Sequence, residues 1–298
     1  ATAVYGSRGA SGVLVITTKK GQESKDKLNV GFSTSYSVDE AYVLLKRQDK
    51  FGQGFDGNVF DSGENFSWGP AYDGIVRPWT SPVDPDGDGK FEFLSRPFSA
   101  VPNQLNNFFR LGFTKQNNIS FSGNSDKFSY YASYGNTNQT GILDNTDYNR
   151  NSFNVSSTAK LTKRFKTDFS INYSIVKING AQEGSRGFDG QNAYAAAVQT
   201  PGNIPFSELR DYKSKFHNLD GYYGSYTGNP YFTLYEYVNE GKINNLLGSM
   251  NLSYNLFEGL DLVGKFGTNY ITRDIRTITP QFAPVSYTHL RAHETVLD

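Results

Sequence analysis

The sequence contains no cysteine, which excludes disulfide frameworks, thiolate metal sites and cysteine nucleophiles. It has no excess of either charge, since 29 Lys and Arg stand against 29 Asp and Glu, so there is no electrostatic basis for holding nucleic acid. Charged residues make up only 19% of the chain, fewer than a soluble surface normally carries. No run reaches the ~18 consecutive apolar residues that a membrane helix needs, so any passage through a bilayer would have to be made by strands. The chain opens at Ala1 without methionine or a signal-like stretch, and it reads as a piece whose amino-terminal part is missing. What it has instead is aromatic residues, 15% of the total, and an abundance of Gly, Ser, Asn and Thr.

Those residues fall into segments of strict two-residue alternation, the pattern of strands with one apolar and one polar face. In the first, Leu28, Val30, Phe32, Thr34, Tyr36 and Val38 share one face, with Asn29, Gly31, Ser33, Ser35 and Ser37 on the other. The pattern returns in a shorter form over Asn117–Gly123 and then over Phe128–Gly135, Phe153–Leu161, Phe169–Ile175, Asn245–Leu256 and Leu262–Tyr270. About seven strands are expected.

Tight hairpin turns are expected at Asn124-Ser125-Asp126, Thr162-Lys163-Arg164 and Phe257-Glu258-Gly259, where the turn-forming residues sit. The remaining connections are long: about 39–108, about a dozen residues between the third and fourth strands, and about 180–241. Alternating short and long connections describe an outer-membrane barrel, with short turns at one end and long loops at the other. A soluble antiparallel sandwich shows the same periodicity. The balance tilts to the barrel because the polar face is Ser, Asn, Thr and Gly rather than Lys and Glu, and because the strands are long. Aromatics near strand ends, among them Tyr36, Tyr134, Phe165, Phe257 and Tyr270, suit interfacial girdles, although any sheet favours such residues.

The opening run from Ala1 to Gly21, with Tyr5, Gly6, Arg8, Gly9 and Gly12 and then the apolar Val13–Ile16, resembles the carboxy-terminal end of the plug domain of SusC-like TonB-dependent transporters. A phosphate-loop reading of its glycines is disfavoured, because they lead into a strand and lack the Gly-Lys-Ser/Thr ending. Phe51-Gly-Gln-Gly54, Ser67-Trp-Gly-Pro70, Asn107-Phe-Phe109, Gln139-Thr-Gly-Ile-Leu143 and Asn229-Pro-Tyr-Phe232 resemble the same family in the same order. The resemblance implies an all-β chain: a partial antiparallel transmembrane β-barrel, about seven of the roughly 22 strands of a plugged transporter, preceded by the end of an α/β plug. The expected division is 1–21 for the plug end, 22–285 for the barrel with its loops, and 286–298 for a tail. That tail, Ser286–Asp298, loses the alternation and resembles a translated sequencing adapter; it is set apart as non-native, its His289 and His293 included.

The resemblance further implies a cell outer-membrane location and active import of an oligosaccharide or peptide. Its partners would be TonB, reached through a segment outside this sequence, and a SusD-like surface lipoprotein. A surface adhesin or glycan-binding protein without transport is the alternative. No catalytic constellation is legible, and an enzyme is not expected. Trp68, Trp79, Tyr222, Tyr223 and Tyr226 lie in the long loops, where their rings either stack on a ligand or pack the loops together. Asp84, Asp86 and Asp88, followed by Gly89, match the first half of a calcium loop, but the twelfth position is Ser95 instead of a bidentate acid. Calcium is a possible cofactor there, and an acidic turn is the plainer alternative.

Overall fold

The computed structural model describes residues 6, 11–12, 28–42, 45–84, 86–181, 192–219, 221–224 and 226–280. Of the plug motif only Gly6 and Gly12 fall among them, both with left-handed backbone, φ 67° and 110°; Tyr5, Arg8 and Gly9 lie outside the described residues, as does the tail 286–298.

Seven strands form one antiparallel sheet in sequence order: β1 (Asn29–Asp39), β4 (Gly112–Asn124), β5 (Phe128–Thr140), β6 (Asp147–Lys160), β7 (Phe165–Asn179), β8 (Val238–Phe257) and β9 (Leu260–Ile278). The three-residue strands β2 (Val76–Pro78) and β3 (Ser95–Pro97) pair separately inside the first long connection. The expected segments are all present, and most are longer than their alternation suggests. β1 and β9 do not pair with each other, so the sheet is an unclosed part of a barrel. Its turns step along the sheet. Phe128, first in β5, pairs with Ala159, one residue short of the end of β6; Phe165, first in β7, pairs with Tyr254, three residues short of the end of β8. Stagger of this kind is what strands inclined to a barrel axis require.

One expectation is corrected. The connection between β5 and β6 is not about a dozen residues but residues 141–146. The strands continue past their apolar stretch because asparagines pair across them. Asn136 Nδ2 donates to Asn151 Oδ1 at 2.9 Å and Asn149 donates to Asn138. Cross-strand amide bonds hold a ladder that hydrophobic alternation does not report.

The two long connections, 40–111 and 180–237, do not lie loose over the sheet. They fold together around a core that includes Trp79, Leu105, Phe108, Ile204, Phe206, Leu209, Tyr231 and Leu234. Three short helices carry part of it: α1 (Ala193–Gln199), α2 (Phe206–Leu209) and α3 (Pro230–Glu236). Phe108 is fully enclosed, with ring centroids 5.2 Å from Phe206 and 5.6 Å from Tyr231. The apolar residues of the sheet, by contrast, are largely exposed. Phe32, Phe128, Phe153, Phe169, Leu262, Phe266 and Tyr270 are examples, so the chain keeps its buried core in the loops and its bare apolar surface on the strands.

Candidate functional site

Strand register divides the sheet into two faces of different chemistry. On one, cross-strand partners run Phe32, Ile119, Tyr134, Phe153, Tyr173, Leu246, Tyr270, straight across all seven strands. From there to the turns the same face carries residues such as Val30, Phe121, Val155, Phe169, Ile171, Met250, Phe266 and Leu262. None of its strand residues in that region is charged. Two residues beyond Tyr173 along β7, the uncharged stretch, which begins at Phe165, ends in a row that is polar except for Ile175: Thr34, Asn117, Asn136, Asn151, Ile175, Asn244, Thr272. The row is stitched by side chains. Thr34 Oγ1 donates to Asn117 Oδ1 at 3.0 Å, Tyr134 Oη to Asn151 Oδ1 at 2.7 Å, and Asn244 Nδ2 to Thr272 Oγ1 at 3.0 Å. At about 3.4 Å per residue and a tilt near 40°, the ten steps from Phe165 to Ile175 rise about 25 Å along a barrel axis, the height of the apolar band of an outer-membrane barrel.

The opposite face is built from small polar residues. Thr158 Oγ1 donates to Asp168 Oδ1 at 2.6 Å, and the hydroxyls of Ser170 and Ser249 lie 2.8 Å apart. Charge is tolerated here within the same span, at Lys166, Asp168 and Lys265. The aromatics expected at strand ends sort accordingly. Tyr134 and Tyr270 border the polar row, while Phe165 faces Tyr254 near the turns, with centroids 6.4 Å apart.

In the loop domain, most of the stretches singled out in the sequence serve the joint between the two connections. Gln53 is fully buried: its backbone N–H donates to Asn203 Oδ1 at 2.9 Å, Asn203 Nδ2 donates back to Gln53 Oε1 at 3.2 Å, and Gln53 Nε2 donates to the carbonyls of Ser62 and Glu64. Beside it Gly69 N–H donates to the Gly52 carbonyl and Gly52 N–H to the Pro70 carbonyl, and a methyl group on Gly69 would strike the Gln53 carbonyl. Glycine is required by that approach. Asn229 caps α3 by accepting from Tyr231 N–H at 3.0 Å and donates to the carbonyls of Leu209 and His217. Arg47 donates to Gln104 Oε1 at 2.7 Å and to the carbonyls of Ala197, Val198 and Thr200 at the end of α1. Burial lowers the pKa of its guanidinium, which stays charged at any physiological pH. Arg47, Gln104 and Asn203 escaped the sequence reading, because buried polar residues carry no periodic signal.

The five loop aromatics do not form one surface. Trp79, Tyr222 and Tyr223 lie in the core; Trp79 stacks on His217 with centroids 5.2 Å apart, and the Tyr222 and Tyr223 rings are 4.7 Å apart. They present no open ring face to a ligand. Trp68, 70% exposed, and Tyr226, 45% exposed, remain accessible. Tyr226 Oη donates to Glu64 Oε1 at 3.2 Å, and the charge on Glu64 raises its pKa. Tyr226 lines a cleft of about 620 Å³ between the two connections, together with Leu45, Arg47, Asn65, Phe66 and Gln199.

The carboxylates of Asp84, Asp86 and Asp88 converge within 4.8 Å of one another. Asp84 also closes the turn, accepting from the N–H groups of Asp88 and Gly89, and Asp88 binds Lys90 Nζ at 2.7 Å, which lowers its pKa. Glu92, the next acid, is committed to Lys215 at 2.7 Å, and Ser95 opens β3. The set offers a cation three carboxylates and no bidentate acid.

Among the described residues, no helix is long and apolar enough to cross a membrane. No family model matches the chain. It is similar to two curated TonB-dependent receptors of Formosa agariphila. One is 27% identical over 275 residues, 90% of this chain and 23% of the relative. The other is 26% identical over 259 residues, 85% and 22% respectively. Among solved structures it is similar to the RagAB peptide importer in a closed-closed state, with TM-score 0.57 and 18% identity over 91% of this chain and 31% of that one. The open-open state matches with TM-score 0.57 and 19% identity, over 91% and 30%. The fold is therefore that of a piece of a plugged-transporter barrel. The chain is similar in sequence to TonB-dependent receptors and in fold to part of the RagAB importer, and it spans less than a quarter of the length of the curated relatives it matches.

Proposed function

We propose that this chain supplies the leading strands and two folded loops of an outer-membrane receptor that imports a nutrient, an oligosaccharide or a peptide, with energy delivered through TonB. The observation that carries this reading is the uncharged apolar face, about 25 Å tall, which ends in a hydrogen-bonded polar row and backs onto a face of Ser, Asn and Thr. Water solvates such an apolar face at a cost of ~25 cal/mol per Å², and lipid removes that cost. The polar face would line the lumen. The division into a plug end at 1–21, barrel at 22–285 and non-native tail at 286–298 belongs to the same proposal.

The cleft beside Tyr226 and the exposed Trp68 are the proposed substrate contacts, with a SusD-like lipoprotein as partner above them. The similarity to RagAB, named a peptide importer, makes a peptide one candidate cargo; exposed aromatic rings suit sugars equally well. The test is fractionation of the full-length receptor followed by uptake. A heat-modifiable band in the outer membrane, with nutrient uptake abolished in a strain lacking TonB, is expected. A soluble product would remove the barrel, and a membrane-inserted receptor with TonB-independent binding alone would favour an adhesin.

A further inference from the structure

Just beyond the polar row, on the apolar face, the cross-strand partners run Lys115, Asn138, Asn149, Lys177, Lys242, Asp274. Lys177 and Lys242 are direct partners on adjacent strands, and both are exposed. Like charges placed opposite each other destabilise a sheet. Elsewhere the chain compensates such pairs. Arg77 and Arg96 face each other in the β2–β3 pair, and each has its acid, Asp73 at 2.5 Å and Glu208 at 3.8 Å. Lys166, opposite Lys160, has Asp168 at 3.6 Å. Among the described residues neither Lys177 nor Lys242 is within salt-bridge distance of a carboxylate. Asp274 is the partner of Lys242 in register without forming an ion pair with it, and Glu240, one row further out, is taken by Arg276 at 3.2 Å.

We propose that Lys177 and Lys242 bind a phosphorylated headgroup of an outer-leaflet lipid. The inference rests on the barrel reading above, which seats lipid against the apolar rows. It adds that the lipid's headgroup phosphate is held at a fixed place. The pair stands two rows beyond Tyr173 and Leu246, the last apolar pair of β7 and β8. Acyl chains on the apolar band would therefore bring a headgroup to the level of the two ammonium groups. Two lysines on rigid neighbouring strands offer six N–H donors to phosphate oxygens, and the anion would cancel the repulsion that the register imposes.

The test uses the full-length receptor, reconstituted in phosphatidylcholine vesicles containing either bisphosphorylated lipid A or its dephosphorylated counterpart, then extracted and weighed by native mass spectrometry. The wild type should retain the phosphorylated lipid, and the K177Q/K242Q double variant should retain about 30-fold less, the effect of two lysines at an anionic surface. In neutral detergent without that lipid, K177Q should unfold at a temperature no lower than the wild type, since it removes a repulsion. Equal retention of the two lipids, undiminished retention by the double variant, or complete displacement by inorganic phosphate would each overturn the proposal. Those results in a vesicle-inserted receptor leave the barrel reading intact. A receptor that does not insert overturns both.

Discussion

Replacing Phe108 by alanine should open the loop domain while leaving the barrel strands closed. The Phe108 ring is wholly inside the core, in edge or tilted contact with Phe109, Phe206 and Tyr231, and it joins residues from both long connections. Truncating a buried phenylalanine costs about 3–5 kcal/mol, the transfer of the ring plus the cavity it leaves. The short helices and tight turns around it have little room to collapse. At about 4 kcal/mol, and 1.4 kcal/mol per factor of ten, the opening equilibrium rises roughly a thousandfold. Hydrogen exchange on the full-length receptor reads this directly. Amides such as Trp79 N–H to Leu94, Val101 N–H to Gly202 and Thr233 N–H to Asn229 should exchange about a thousand times faster, and ladder amides of β5, β6 and β7 should not change. Unchanged loop amides would refute the common core, and equal acceleration of loops and strands would refute its independence from the sheet.

Acid should loosen the same domain. Burial lowers the pKa of His217, so the folded state holds it neutral while the unfolded segment takes up a proton below about pH 6.5; stability therefore falls with pH in that range, by at most about 1.4 kcal/mol per pH unit. Proteolytic susceptibility of the loops measured from pH 7.5 to 5 should rise, and H217F should flatten the profile. Gln53→Ala should cost about 1–3 kcal/mol by leaving the Asn203 amide buried and unpaired, with the Gln53→Ala/Asn203→Ala pair costing less than the sum, as denaturation of the four variants would show. Calcium should bind the Asp84–Asp88 turn no more tightly than about millimolar, because the bidentate acid is absent; a micromolar calorimetric isotherm would contradict this.

The strands were legible because alternation such as Phe169, Ile171, Tyr173 against Ser170, Asn172, Ser174 states both the period and the two environments. The turns at 125–127 and 161–164 followed from their Ser, Asp and Thr. Strand ends were not legible where asparagines replaced apolar residues. Asn136 and Asn151 look like loop residues one at a time, and only the register makes them a ladder. The loop core was hidden for a related reason. Trp79 meets His217 and Gln53 meets Asn203 across more than a hundred residues, at positions with no shared period, so rings that could equally bind a ligand turn out to be buried. Trp68 and Tyr226 differ from Trp79 and Tyr223 in nothing the sequence displays.

The central claim is that one face of this sheet meets lipid and the other does not, and a pair of adjacent substitutions tests it. Phe169 lies in the middle of the uncharged face beside Met250, and Ser170 points to the polar face beside Ser249. Folding of the full-length receptor into vesicles, followed by denaturant titration, should show Phe169→Lys losing about 2–4 kcal/mol, as lysine does near a bilayer midplane, and Ser170→Lys losing less than about 1 kcal/mol. Equal losses at the two positions, or a larger loss at Ser170, would contradict the assignment of the faces and with it the barrel.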